Sequence, residues 1–177
     1  MQTAPAIRTT RLLLRAPIIE DADAIFEEYA ADPTVTHYLT WLAHGSKETT
    51  ASFLRAKIHG SQTRKDLSWA ITARDSDRVI GMIDARFQGH RVEIGFVLGQ
   101  KHWGQGYMTE ATTALAEWCL GQRGIFRVWA VCDTENTGSA RVLEKSHFQR
   151  EGLLRRWAMH PNKSSLPQDV YVYGRVR

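Results

Sequence analysis

The sequence predicts an α+β protein: one mixed, mostly antiparallel central sheet of about seven strands, with about four helices on its faces. Two observations carry this. The stretches "LSWAITA", "RVIGMIDARF" and "RVEIGFVL" read as strands separated only by the turns "RDSD" and "QGH", the pattern of an antiparallel meander. Helical periodicities lie both before and after that meander, so the order of elements is mixed rather than strictly alternating. The chain has 177 residues, 43% hydrophobic and 24% charged, the balance of a single globular domain spanning residues 1–177. No repeat, low-complexity tract or linker divides it.

"RLLLRA" (11–16) is a short apolar run and reads as the first strand. Ala22, Ile25, Phe26, Tyr29 and Ala30 then recur at helical spacing, and Pro33 is expected to stop that helix. "THYLTWLAHGS" is irregular and aromatic. Ser46 looks like the N-cap of a second helix, with Phe53, Leu54 and Ile58 on one face and Gly60 as its end. After the meander, Tyr107 to about Arg123 forms a third helix, lined on one face by Ala111, Ala114, Leu115, Trp118 and Cys119. Arg127–Asp133 is a strand, "TGSARVLEKSHF" a short helix, and "GLLRRWAMH" and "DVYVYGRVR" are closing strands.

Composition excludes several classes. The net charge of +4 is mild, and the Lys and Arg residues are scattered rather than clustered, so no nucleic-acid partner is expected. Cys119 and Cys132 sit in apolar surroundings and read as buried thiols of a reducing compartment. Neither has a Cys or His at metal-ligand spacing, so no metal is expected. The stretch "MQTAPAIRTTR" has no apolar leader core, and no apolar run approaches the length of a membrane span. A cytoplasmic protein, monomer or homodimer, without a membrane partner is expected.

The informative stretch is "GQKHWGQGYMTEATTALAEW". Gly104 and Gly106 stand where a helix begins, although alanine would favour the helix by up to about 1 kcal/mol at each place. A strand running through a loop into a helix aims free backbone N–H groups at one spot, and the helix dipole makes that spot positive. Phosphate is the usual occupant, and glycines let the main chain approach it closely. The P-loop pattern fails because Tyr107 and Met108 follow the second glycine. The dinucleotide fingerprint fails because Thr109 stands where its third glycine is needed.

Lys101-His102-Trp103-Gly104-Gln105-Gly106 instead resembles the acyl-CoA loop of the GNAT superfamily, Gln/Arg-x-x-Gly-x-Gly/Ala. "WGQGYMTEA" is similar to the signature of its RimJ/RimL branch, the ribosomal-protein N-terminal acetyltransferases and their relatives. "NTGSARVLEKSHFQREG" (136–152) resembles that branch's second segment, and the likeness covers nearly the whole chain. It implies a GNAT fold and acetyl-CoA as co-substrate. It also implies cofactor binding by Phe96, Val97, Leu98, Lys101, His102, Trp103, Gly104, Gln105, Gly106, Tyr107, Met108 and Asn136. Two residues depart from the pattern: Lys101 replaces Gln or Arg, and His147 replaces a glycine at the helix exit. His147 reads as a turn residue or a local ligand contact.

Acetyl transfer from a thioester to an amine needs a neutral amine, a stabilised oxyanion, a protonated leaving thiolate and a common site for both reactants. The resemblance implies an N–H near Val97 or Leu98 aimed at the thioester oxygen. The tyrosine that many GNAT enzymes use as the acid is here Leu143, which leaves Ser139 as the replacement, with helix capping as its other reading. Glu93, on the same side of its strand as Gly95 and Val97, is the candidate base; the other reading is a cross-strand surface charge. The acceptor pocket is expected from "THYLTWLAHGS" and the last hairpin, with His37, Tyr38, Trp41 and His44 as candidates; Trp41 also reads as sheet packing. The acceptor is an amine-bearing small molecule or a protein N-terminus. A catalytically idle acyl-CoA-binding sensor is the alternative, and it needs neither Ser139 nor Glu93.

Overall fold

Strand alternation and helical stripes assemble as one sheet covered on both faces. The computed structural model describes residues 4–60 and 66–177. The first three residues of the stretch read for a leader, and the segment after Gly60 where the second helix is expected to end, lie outside the described residues. In chain order the elements are β1 (Ile7–Arg8), β2 (Leu12–Arg15), α1 (Ala22–Ile25), α2 (Pro33–Thr36), α3 (Lys47–Gly60), β3 (Asp66–Ala73), β4 (Val79–Gln88) and β5 (Arg91–Leu98). They continue with α4 (Tyr107–Leu120), β6 (Arg127–Asp133), α5 (Thr137–Lys145), β7 (Gln149–Ala158) and β8 (Gln168–Val176). The sheet runs β1-β2-β3-β4-β5-β6-β8-β7 among the described residues. The strand Ile7–Arg8 and the helix Pro33–Thr36 are the additions to the sequence reading.

Pro33 does not simply stop the first helix. That helix passes from α1 into a π-helical turn, Phe26–Ala30, and ends there. Pro33 then opens α2 at its first position, where a missing N–H costs nothing, and the Asp32 carboxylate caps the Thr34 amide at 2.8 Å. Ser46 does cap α3, its Oγ accepting from the Thr49 amide at 3.2 Å. Helix α4 ends at Leu120, short of Arg123, with Gly121 as its C-cap. His147 holds the left-handed conformation, φ 66°, in the turn that leaves α5. The Phe148 amide there returns to the Leu143 carbonyl at 3.0 Å. It is therefore the turn residue that glycine would usually be.

The meander β3-β4-β5 is antiparallel, with Ser68 and Gly95 flanking Asp84 on β4. Gly81 makes the close approach of β4 to β5 possible: a Cβ there would lie 2.4 Å from the Val97 carbonyl oxygen. Alternation sends Trp69 and Ile71 to one face and Ala70 to the other. The first face packs against α4 and α5 through Leu115, Cys119 and Leu143, and the second against α1 and α3 through Ile25 and Leu54. Burying each such Leu or Ile contributes roughly 2 kcal/mol. On α4 the buried stripe includes Met108, Thr112 and Ala116, so it is turned slightly from the stripe the sequence suggested through Ala114. No helix among the described residues is long and apolar enough to cross a membrane.

Candidate active site

Strands β5 and β6 are parallel neighbours, but they pair only at Arg91↔Arg127, Val92↔Val128 and Glu93↔Trp129. Beyond those pairs β5 stays with β4 and β6 stays with β8, so the sheet splits. The β5 backbone from Ile94 to Leu98 therefore has no ladder partner on its β6 side among the described residues. A cavity of about 190 Å³ fills the split. Gly95, Phe96 and Val97 form one wall, and Ala130 to Asp133 the opposite one.

The glycine loop follows β5 directly, and its residues are not among those lining the cavity. Gly104 and Gly106 have φ of 74° and 79°, the left-handed region where a Cβ is strained. Gly106 is the N-cap of α4, and no side chain among the described residues caps the helix, so its first-turn amides are uncapped. The loop is braced by groups the sequence reading did not single out. Arg11 donates to the Gln105 carbonyl at 2.9 Å and pairs with Glu110 at 2.7 Å, its guanidinium lying 4.6 Å from the Tyr107 ring centroid. Glu110 also accepts from Thr9 at 2.6 Å. Trp103 donates through Nε1 to the Leu98 carbonyl at 2.8 Å, and Gln105 donates through Nε2 to the Lys101 carbonyl at 2.9 Å.

Several expected cofactor residues are otherwise engaged. Lys101 and His102 turn to the buried Glu28 carboxylate, at 2.8 and 3.3 Å, where Arg78 also binds at 2.7 Å. Burial works against the Glu28 charge, but the Lys101 and Arg78 hydrogen bonds outweigh it and hold the carboxyl below its usual value. Met108 faces the core, 5% exposed, and is not on the cavity wall. Helix direction explains this: as the second residue of α4 it already belongs to the stripe facing the sheet, with Ala111, Thr112 and Leu115.

One set of lining residues, Tyr29, Asp84, Arg86 and Glu93, is polar. Arg86 lies directly opposite Glu93 and donates to its Oε1 at 3.1 Å, so the cross-strand charge reading is met while the residue still lines the cavity. Asp84 pairs with Lys57 through Oδ2. Its Oδ1 and the hydroxyl of Tyr29 are buried without a hydrogen-bond partner. Burial, then the charges of Asp84 and Asp21, push the Tyr29 hydroxyl well above its ordinary pKa, so it is a donor. Orphaned polar atoms on a cavity wall are what a polar ligand group would satisfy.

Asn136, also on the cavity wall, caps α5 by accepting the Ser139 amide at 3.0 Å. The capping role proposed for Ser139 belongs to Asn136, and Ser139 lines the cavity. Beside it the Cys132 thiol is pushed up to about 11 by burial and the neighbouring carboxylates, so it stays protonated. Cys119 and Cys132 are both free.

The aromatic loop and the last hairpin, the segments expected to form the acceptor pocket, both line the cavity. Asn162 fastens the two together, donating to the carbonyls of Thr36 at 2.9 Å and Trp41 at 2.7 Å and accepting from the Ala43 amide at 3.0 Å. Tyr38 and Trp41 face the cavity. Trp41 also packs on Phe53, 5.5 Å between ring centroids, as its packing reading requires. His37 and His44 are not on the wall. His37 packs edge-on against Tyr38. His44 is a core histidine bonded to Thr50 at 2.8 Å, its pKa lowered by burial. The sequence reading missed Asp133 and His160, which lie buried on the same wall, 2.9 Å apart.

A sheet split between two parallel strands, a glycine-bearing loop after the first of them and a walled polar pocket within are the frame of an acyltransferase of the GNAT fold. Residues 11–149 match the family model described as an acetyltransferase (GNAT) domain. The chain belongs to the GNAT family and is an N-acetyltransferase. It is 34% identical to the uncharacterized N-acetyltransferase YoaA of Bacillus subtilis (strain 168), over 98% of this chain and 97% of that one. A GNAT-family acetyltransferase structure from Bacillus anthracis is 29% identical with a TM-score of 0.84, covering 97% of this chain and 98% of its own. RimL, a ribosomal L7/L12 α-N-protein acetyltransferase solved with coenzyme A, shares the fold at 22% identity and a TM-score of 0.85, with 97% and 98% covered.

Proposed function

We propose that the chain moves an acetyl group from acetyl-CoA to a primary amine by direct attack of the amine on the thioester. The acceptor is an α-amine or another amine of modest pKa, on a protein N-terminus or a small molecule. The observation that carries this is the parting of β5 and β6 immediately before an uncapped, glycine-bearing helix start. The RimL structure supports it, since that protein carries coenzyme A and acts on an α-amine.

In this reading Gly104, Gly106 and the first-turn amides of α4 hold the pyrophosphate. Asn136 keeps its amide Nδ2 for pantetheine. An N–H at Val97 or Leu98 stabilises the developing oxyanion, worth roughly 3 kcal/mol. Glu93 has its Oε1 on Arg86, while Oε2 has no protein partner among the described residues. It draws in the cationic acceptor and takes up, directly or through a water, the proton the ammonium loses before attack. Ser139 protonates the departing sulfur. An α-amine has a pKa near 8 and a lysine side chain near 10.4, so the α-amine starts about a hundredfold better supplied in its neutral form.

The test is a panel of acceptors (alaninamide, a serine-initiated peptide, an N-acetylated lysine peptide and spermidine) offered with acetyl-CoA while free thiol is followed. Release well above hydrolysis with an α-amine is expected. Coenzyme A binding by calorimetry with no amine-dependent release would replace this reading with that of a sensor.

A further inference from the structure

Attack by an ammonium-bearing acceptor releases two N–H protons: one before the nitrogen lone pair is free, and one once nitrogen has bonded to the acetyl carbon. The acetyl-transfer reading, on which this inference rests, assigns Glu93 only to the first. The cavity holds a second group suited to proton transfer.

Asp133 ends β6 with its side chain wholly buried. It accepts from the Glu135 amide at 2.9 Å, from Lys163 at 2.9 and 3.0 Å, and from His160 Nδ1 at 2.9 Å. Burial opposes its charge, yet these donors outweigh burial and keep the carboxyl below its usual value. His160 is 4% exposed and stands on the cavity wall just after β7. A buried ion cluster of this kind adds little to stability by itself. A charged acceptor at Nδ1 fixes the imidazole tautomer: Nδ1 carries the proton and Nε2 keeps a lone pair. Nε2 has no protein partner among the described residues. The hairpin that carries His160 is fastened by Asn162 to the loop bearing Tyr38 and Trp41, so the imidazole stands at the acceptor side of the cavity, across from the β5 wall. The charged and titratable groups around it are Asp133 and Cys132 on β6, Glu135 in the next turn, Lys163 in its own hairpin, and Tyr38, over whose ring Lys163 sits at 5.4 Å.

We propose that His160, oriented by Asp133, is a catalytic residue that takes the second proton from the attacking nitrogen. The N–C bond forms, the N–H bond breaks toward His160 Nε2, and the C–S bond breaks with its electron pair leaving on sulfur. Sulfur takes one proton from Ser139, which solvent replaces. Glu93 and His160 return one proton each, so the net release is one.

The experiment uses the full chain with acetyl-CoA and the best acceptor of the panel above. His160→Gln should lower kcat by about 10²-fold, leave the KM for acetyl-CoA within about twofold and keep its melting temperature close to wild type, while His160→Gly should recover activity in added imidazole. Nitrogen-15 NMR of histidine-labelled wild type should show neutral His160 protonated at Nδ1. A folded His160→Gln enzyme with kcat within about threefold of wild type, a slow His160→Gly variant that imidazole does not help, or an Nε2–H tautomer would each overturn the proposal. Wild type that transfers to no amine overturns the acetyl-transfer reading instead, and the tautomer still decides the Asp133–His160 arrangement.

Discussion

A carboxylate such as Glu28, with its side chain 1% exposed, persists in charged form only because cations surround it. Two of the groups on it, Lys101 and His102, belong to the glycine loop, so Glu28 ties that loop to the helix whose next residue, Tyr29, reaches the cavity. Glu28→Gln should raise the KM for acetyl-CoA more than it lowers kcat. The pH dependence has a definite sign. The folded carboxyl titrates below its unfolded value of about 4.3, so its stabilisation is complete above that pH and is lost as pH falls through the lower folded value. Calorimetric melting between pH 7 and 3 should therefore show a shallower acid decline in Glu28→Gln than in wild type; equal slopes would exclude the tether. Glu93 has the opposite design, one oxygen held by Arg86 and the other open to the cavity. Glu93→Gln should lower the high-pH plateau of kcat/KM by about 10²-fold, and a near-normal plateau with an unaltered pH profile would leave positioning alone as its role. Neither partnership could be read from the chain. Lys101 was legible as a cation in an anion-binding loop, but the carboxylate that claims it lies in the first helix, and only the fold brings the two together.

Local elements were legible wherever local physics decides them. Gly104 and Gly106 declared themselves because left-handed backbone at a helix start needs glycine, and both have positive φ. The turns of the meander and the Ser46 cap were legible for the same reason. The π turn at Phe26–Ala30 was not, since nothing in the local residue pattern distinguishes it from the α-helix it continues. Asn162 was missed because an asparagine in a turn is common, and its three bonds reach a loop far away in sequence. At this scale the decisive change is Gly106→Glu. A side chain there must accept left-handed backbone beside Arg11, whose guanidinium lies 3.4 Å from the Cβ position, and its carboxylate would point at the phosphate site. Calorimetry should show coenzyme A binding abolished while circular dichroism stays native. Unchanged binding would move the phosphate site off this loop.

For the molecule as a whole, the sheet order β6-β8-β7 was hidden from the sequence, because strand neighbours distant in the chain are chosen by the closing of the core and not by any local pattern. In that order β6 stays paired with β8 from Arg127 to Asp133 while β5 stays paired with β4, and the cavity lies where β5 and β6 no longer pair. The consequence is mechanical as well as catalytic. Among the described residues three pairs join β5 to β6 in the ladder, and past them the two strands line opposite sides of the cavity. A ligand seated in the split binds the folded sheet and not the unfolded chain, so it should stabilise both halves together. At a free concentration near a hundred times its dissociation constant, coenzyme A should add about 2.7 kcal/mol of stability. For a chain of this length that is a rise in melting temperature of roughly 5–10 °C. Acetyl-CoA should give a similar rise, because the pyrophosphate and pantetheine contacts are shared. Gly106→Glu should melt at one temperature with or without either ligand, since its loop no longer holds the anion. A wild-type protein whose melting temperature stays fixed at saturating coenzyme A would show that the split is not where the donor binds.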